Sequence, residues 1–247
     1  MSGTLENETL ISHLEALRKC LLRIFAAVAL LFPVCFYLAP YVIEQLVRWC
    51  CPPEMGPLHY FTPLEVFFVQ LKLALILALA AAYPWNVRQM WTFLLPALYR
   101  KERKALGWWI FTSSALFFGG IVFCAGLILP MIMRFSASFA SSELQPILGL
   151  AGFLGLAGWL MLAFGIMFQS PIVVLILVRM GLISVDSLRK KRPYVVVAIL
   201  VIAAVLTPPD VVSQILLAVP TWLLFELGLY AAGKMTPSGK AEGEPDS

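Results

Sequence analysis

"YVVVAILVIAAVLTPPDVVSQ", residues 194–214, holds an apolar run from Tyr194 to Leu206 that stops at Pro208–Pro209. As an α-helix this run is only ~20 Å long, against a hydrocarbon core of ~30 Å. Pro208 and Pro209 cannot continue a helix, and Asp210 can cap the next one, over 211–232. The stretch therefore reads as a hairpin of two membrane helices whose first arm is too short to cross. Thr207, Asp210 and Gln214 decorate the turn, and turn chemistry accounts for them locally. It does not account for the short arm. Either the bilayer thins around it, or the turn lies below the surface, shielded by protein.

The rest of the chain has the same character. Of its 247 residues, 61% are hydrophobic and only 13% are charged, where a soluble domain carries about a quarter. Six membrane helices are predicted, at 24–43, 63–87, 107–130, 148–178, 194–206 and 211–232. Residues 1–23 do not read as a cleaved signal peptide, because the apolar stretch from Ile24 to Ile43 is long enough to remain a span.

Basic residues set the orientation. Arg18, Lys19 and Arg23 precede the first span, and Arg88, Arg100, Lys101, Arg103 and Lys104 lie between the second and third. Arg179, Arg189, Lys190, Lys191 and Arg192 separate the fourth and fifth, and Lys234 and Lys240 follow the sixth. The opposite side has only Arg48 and Arg134, so both termini are expected to be cytoplasmic. The net charge of +4 is spread over these short clusters and gives no reason to expect nucleic acid.

Leu10, Leu14, Leu17 and Leu21 recur at helical spacing, so residues 9–23 should form an amphipathic helix that runs on into the first span. On the outer side, 44–62 is turn-rich, and 131–147 mixes Ser, Met and Phe as an interfacial segment would. Residues 1–232 form the membrane domain in this reading, and 233–247 a polar, disordered tail.

Catalytic chemistry is hard to find. His13 and His59 both lie outside the spans, and neither a Walker A sequence nor G-x-S-x-G is present. Cys20, Cys35, Cys50, Cys51 and Cys124 lack metal-ligand spacing, and no cofactor is expected. Polar groups within spans are few, so each is a functional candidate. Gln169 precedes Pro171, which removes the hydrogen bond to the Met167 carbonyl and should kink the fourth span. Gln169 either satisfies a carbonyl freed in this way or serves a site. Gln70 and Lys72 lie in the second span, where Lys72 should snorkel outward. Glu226 comes late in the last span. Gly149, Gly152, Gly155 and Gly158 recur every third residue of the fourth, which permits close helix approach or local flexibility.

Read in order, "SHLEALRK", "FTPLEVFFVQLKLAL", "FLLPALYRKER", "SLRKKRPYVVVA" and "LTPPDVVSQILLAVPTWLLFELG" resemble the TatC family, the multispan core of the bacterial twin-arginine (Sec-independent) protein translocase. The resemblance implies an all-α membrane protein of the bacterial inner membrane, with six transmembrane helices in a concave bundle and short fifth and sixth helices. It implies recognition of twin-arginine signal peptides and export of folded proteins, driven by the proton-motive force and without enzymatic activity. Its implied partners are TatA-type and TatB-type single-span proteins and membrane lipid, in homo- and hetero-oligomers.

Carried over by position, Glu102 matches the family glutamate that receives the signal's arginine pair, with Phe93 and Pro96 as its neighbours. Thr207 and Gln214 match positions where a partner's membrane helix docks, and Asp210 and Glu226 match family acids. Two positions depart from the family pattern. The family segment H-L-x-E-L-R reads "HLEALR" here, so Ala16 takes the glutamate position and Glu15 stands one place earlier, a rotation of about 100° on a helix. Glu15 also completes Ser12-x-x-Glu15, the pattern of a capping box. The acid often found in the family's fourth helix is Gln169 here, which carries neither a proton nor a charge. A secondary transporter or channel for small solutes is the alternative, but it wants a midplane polar site between broken helices.

Overall fold

The computed structural model describes residues 2–51, 58–94, 103–138, 149–206 and 211–235. Helices make up almost all of the described chain: α1 (Ser2–Cys50), α2 (Pro63–Leu94), α3 (Arg103–Phe123), α4 (Leu129–Ala137), α5 (Leu150–Met167), α6 (Ser170–Arg179), α7 (Val185–Lys190), α8 (Arg192–Leu206) and α9 (Val211–Met235). Among the described residues, five stretches are long and apolar enough to cross a membrane: Leu14–Cys50, Pro63–Phe93, Gly107–Ala137, Leu150–Arg179 and Gln214–Lys234. The sixth apolar helix, α8, has 15 residues, or about 22 Å, and remains short of a bilayer core. The apolar part of α9 has 21 residues, less than the 30 to 37 of the other four, yet enough to cross.

Several boundaries differ from the sequence expectation, for local reasons. Helix α1 starts at Ser2, so Ser12 lies inside a helix and Ser12-x-x-Glu15 is not a capping box. It also runs on to Cys50 through Pro33 and Pro40, shortening the expected outer loop. Residues 131–137, expected to be interfacial, continue the third span as α4. They follow a π-turn at Cys124–Ile128, in which the Leu129 N–H reaches back to the Cys124 carbonyl. Pro130, next in line, has no N–H of its own to donate, and such turns commonly absorb a disturbed hydrogen-bond ladder. The expected break before Pro171 is present: α5 ends at Met167 and α6 begins at Ser170. Helix α7 arises in the basic stretch, where the Ser184 hydroxyl accepts from the Ser187 N–H as an N-cap. The predicted tail beyond 235 lies outside the described residues.

The chain forms two compact units, Met1–Ile166 and Met167–Ser247. In the first, α1 and α2 run antiparallel along a seam of small residues, with Ala39, Ala74, Ala78 and Ala82 almost wholly buried. Lipid tails are as apolar as leucine, so close backbone packing holds such helices together better than apolar burial does. A polar link crosses the seam where Gln70 Nε2 donates to the Phe36 carbonyl at 3.1 Å. Phe36 lies four residues before Pro40, which has no N–H to return, so Gln70 supplies the missing donor. Replacing Gln70 with Leu should therefore destabilise unit 1 by roughly 0.6–2 kcal/mol, read as a lower unfolding midpoint in detergent titration. An unchanged midpoint would mean that the carbonyl needs no partner. Farther along, Tyr83 stacks on Phe117 with centroids 3.7 Å apart, and its hydroxyl lies 3.2 Å from that of Ser113.

In the second unit, Val174, Val178, Leu188, Phe225, Leu229 and Ala232 form a buried cluster among α6, α7 and α9. Gly181, at φ +69°, ends α6 in the left-handed conformation that glycine adopts without strain. Helices α8 and α9 form an antiparallel hairpin tied at two levels. Gln214 Nε2 donates to the Leu200 carbonyl at 3.0 Å, and Arg192 meets Glu226 at 2.6 Å.

Candidate functional site

The predicted signal-recognition residues are spread over α1, the end of α2 and the segment after it. Arg23 Nη1 donates to Gln89 Oε1 at 3.4 Å, which fixes the register of the antiparallel pair. From there α1 runs back to Glu15 and α2 runs forward to Phe93, so both residues lie at one end of the first unit. Glu15 is two-thirds exposed and 3.9 Å from Lys19 one turn on, an ion pair of small energetic weight. Ala16 is also exposed, on the same unbroken helix. Phe93 is half-buried in the last turn of α2. Arg88 adds a cation above the Trp85 ring, 5.6 Å from its centroid. Pro96 and Glu102 lie outside the described residues.

At the α8–α9 hairpin, Gln214 is half-buried and has already used one amide hydrogen on Leu200. Its second amide hydrogen and its carbonyl oxygen have no partner among the described residues, which leaves hydrogen-bonding capacity on the hairpin. Arg192, at the start of α8, holds Glu226 in an ion pair. Sequence reading missed this pairing, because Arg192 counts there only as one of a basic run. Gln169 stands at the turn before α6, with φ −78° and ψ −10°, and caps α6 with its backbone only. Its carbonyl accepts from the Val173 N–H at 3.0 Å. Thr207 and Asp210 lie outside the described residues. The buried Asn86 oxygen, without a partner among the described residues, is a further polar group that sequence reading passed over. Among those residues no group of His, Cys, Asp or Glu is placed to hold a metal.

Apolar helices of this length, carrying few polar side chains, define a multi-pass α-helical membrane protein. The family pattern of Sec-independent protein translocase protein (TatC) matches residues 12–220. The chain is 36% identical over 228 residues to a TatC of Azotobacter chroococcum mcd 1, covering 92% of this chain and 89% of the relative. It is 35% identical over 229 residues to TatC of Escherichia coli strain K12, covering 91% and 88%. A crystal structure of TatC in DDM, described as a twin arginine translocase receptor, superposes with a TM-score of 0.82 at 32% identity. That likeness covers 89% of this chain and 99% of the other. The chain belongs to the TatC family. It is a non-enzymatic, multi-pass component of the Sec-independent protein translocase in the bacterial inner membrane. The small-solute transporter or channel alternative finds no support in these comparisons.

Proposed function

We propose that this protein is the twin-arginine signal-peptide receptor of its translocase, with Glu102, Glu15, Phe93 and Pro96 forming the peptide site. The observation that carries the reading is its likeness, over 89% of its length, to a protein described as a twin arginine translocase receptor. A carboxylate is the right acceptor for an arginine pair, since it takes a guanidinium through two parallel hydrogen bonds. In this reading both termini face the cytoplasm, the side that the excess of Lys and Arg favours, which puts Glu102 and Glu15 where unexported proteins are made. Residues 1–232 serve as the membrane domain and 233–247 as a tail.

Single-span partners of the TatA and TatB types dock on the α8–α9 hairpin, through Thr207 and the groups of Gln214 that have no partner among the described residues, in homo- and hetero-oligomers. Gln169, Asp210 and Glu226 are further intramembrane polar groups in this reading. The translocase exports folded proteins, driven by the proton-motive force.

Two measurements on the purified complex test it. A labelled twin-arginine peptide should bind, and a twin-lysine version should bind much more weakly, because an ammonium cannot make the two-pronged contact. A cysteine at Gln214 or Val205 should crosslink a small single-span protein. Equal binding of both peptides refutes the receptor role, and hairpin crosslinks without any such protein refute the docking site.

A further inference from the structure

Within the first unit, a cavity of about 380 Å³ lies between α2 and α5. Glu65, Phe68 and Lys72 line it along one face of α2, with Thr62 just before that helix, and Leu154 and Gly155 close it from α5. Lys72 is the odd member. It stands within an apolar span, about 13 Å along the helix from Pro63, and among the described residues its ammonium has no hydrogen bond or ion pair. A lysine without a counter-ion at membrane depth is costly, and such residues mark binding sites. Gly155 leaves the ammonium room, since even a Cβ there would come no closer than 3.8 Å to Lys72 Nζ.

Glu65 does not neutralise it. One carboxylate oxygen accepts from the Phe61 N–H at 2.8 Å and the other from the Ala151 N–H at 3.1 Å, so Glu65 ties the start of α2 to that of α5. The cavity thus presents a cation at depth without a partner among the described residues, a committed carboxylate nearer the helix ends, and apolar walls from Phe68 and Leu154.

We propose that this cavity binds a phospholipid, with its phosphate diester on Lys72 and the start of an acyl chain against Phe68 and Leu154. Charge complementarity selects an anionic oxygen group, and the position within a span selects a lipid over a free ion. Inorganic phosphate would have to leave water for an apolar wall, whereas a lipid brings chains that fit the wall and a phosphate that Lys72 can draw in from the adjacent headgroup layer. The carboxylate above Lys72 disfavours extra negative charge, so a headgroup with an ammonium beyond its phosphate should fit better than one with phosphate alone.

Native mass spectrometry of the detergent-purified protein, titrated with phosphatidylethanolamine, phosphatidylglycerol or inorganic phosphate, tests this. Retention of phosphatidylethanolamine should fall about tenfold in Lys72→Met and return in Lys72→Arg. Gly155→Leu, which fills the cavity but keeps the charge, should lose it as well. Thermal unfolding without added lipid serves as the folding control, and a variant that melts early is replaced by Lys72→Gln. Lipid retention by Lys72→Met at the wild-type level would overturn the proposal, as would retention by Gly155→Leu. Phosphate ion binding as well as lipid, or phosphatidylglycerol outcompeting phosphatidylethanolamine, would overturn the assigned ligand.

Discussion

Glu102→Ala should abolish measurable binding of a twin-arginine signal peptide, while Glu15→Ala weakens it only a few-fold. An arginine pair brought to this surface meets Arg100, Lys101, Arg103 and Lys104 around a single carboxylate. Without Glu102 nothing in that segment attracts a guanidinium and four cations repel it. Truncating one partner of a hydrogen-bonded charge pair costs about 2–5 kcal/mol, which is roughly thirty-fold to several-thousand-fold in affinity. Glu15 is in a weaker position. It is two-thirds exposed and shared with Lys19 at 3.9 Å, so its contribution should stay within the ~0.2–1 kcal/mol of an exposed pair. Ala16 is exposed on the same helix, so Ala16→Glu should be tolerated and should tighten binding a few-fold by placing a second carboxylate at the family position. Fluorescence anisotropy of a labelled peptide against the three variants separates the roles. Unchanged affinity in Glu102→Ala would remove it from the site, and a larger loss in Glu15→Ala would invert the assignment.

Much of the fold is legible in the sequence, because its determinants are local. Apolar runs mark the spans, the break before Pro171 follows from one missing N–H, and α8 is short because its apolar run is short. What escapes depends on distant partners. The first span is expected to end at Ile43, yet α1 continues through Pro33 and Pro40 to Cys50, and Gln70 meets the need that Pro40 creates at Phe36. Those two residues are 34 apart in sequence, as are Arg192 and Glu226, and no periodicity connects either pair. The candidate site was legible in a different way. Nothing in the chemistry of "YRKER" separates Glu102 from a solvated loop carboxylate, and only the order of motifs along the whole chain singles it out.

The glycines show the same limit, and they set the other large expected effect. Gly149, Gly152, Gly155 and Gly158 attract attention by their regular spacing, yet a Cβ on Gly152 would meet nothing within 4 Å. A Cβ on Gly158 would lie 2.5 Å from Ile76 Cδ1, the end of a flexible chain that can turn away. Gly228 stands outside the pattern and is the tightest in consequence. A Cβ there would lie 2.6 Å from Pro171 Cα and 3.1 Å from the Pro171 carbonyl oxygen, both backbone atoms of a residue whose ring fixes its φ. Helices α6 and α9 can approach this closely only because residue 228 has no side chain, and close packing is what holds membrane helices together. Gly228→Ala should therefore force the pair apart and destabilise the second unit by at least the ~1–3 kcal/mol typical of overpacking. The separation would also disturb Glu226, two residues back along α9, and its pairing with Arg192. Gly152→Ala should be neutral or stabilise by up to ~1 kcal/mol, since alanine favours the helix and meets open space. Unfolding of the two variants side by side in a mixed-detergent titration decides between close packing and mere spacing. Equal midpoints for Gly228→Ala and the wild-type protein would show that α6 and α9 do not depend on contact at this glycine.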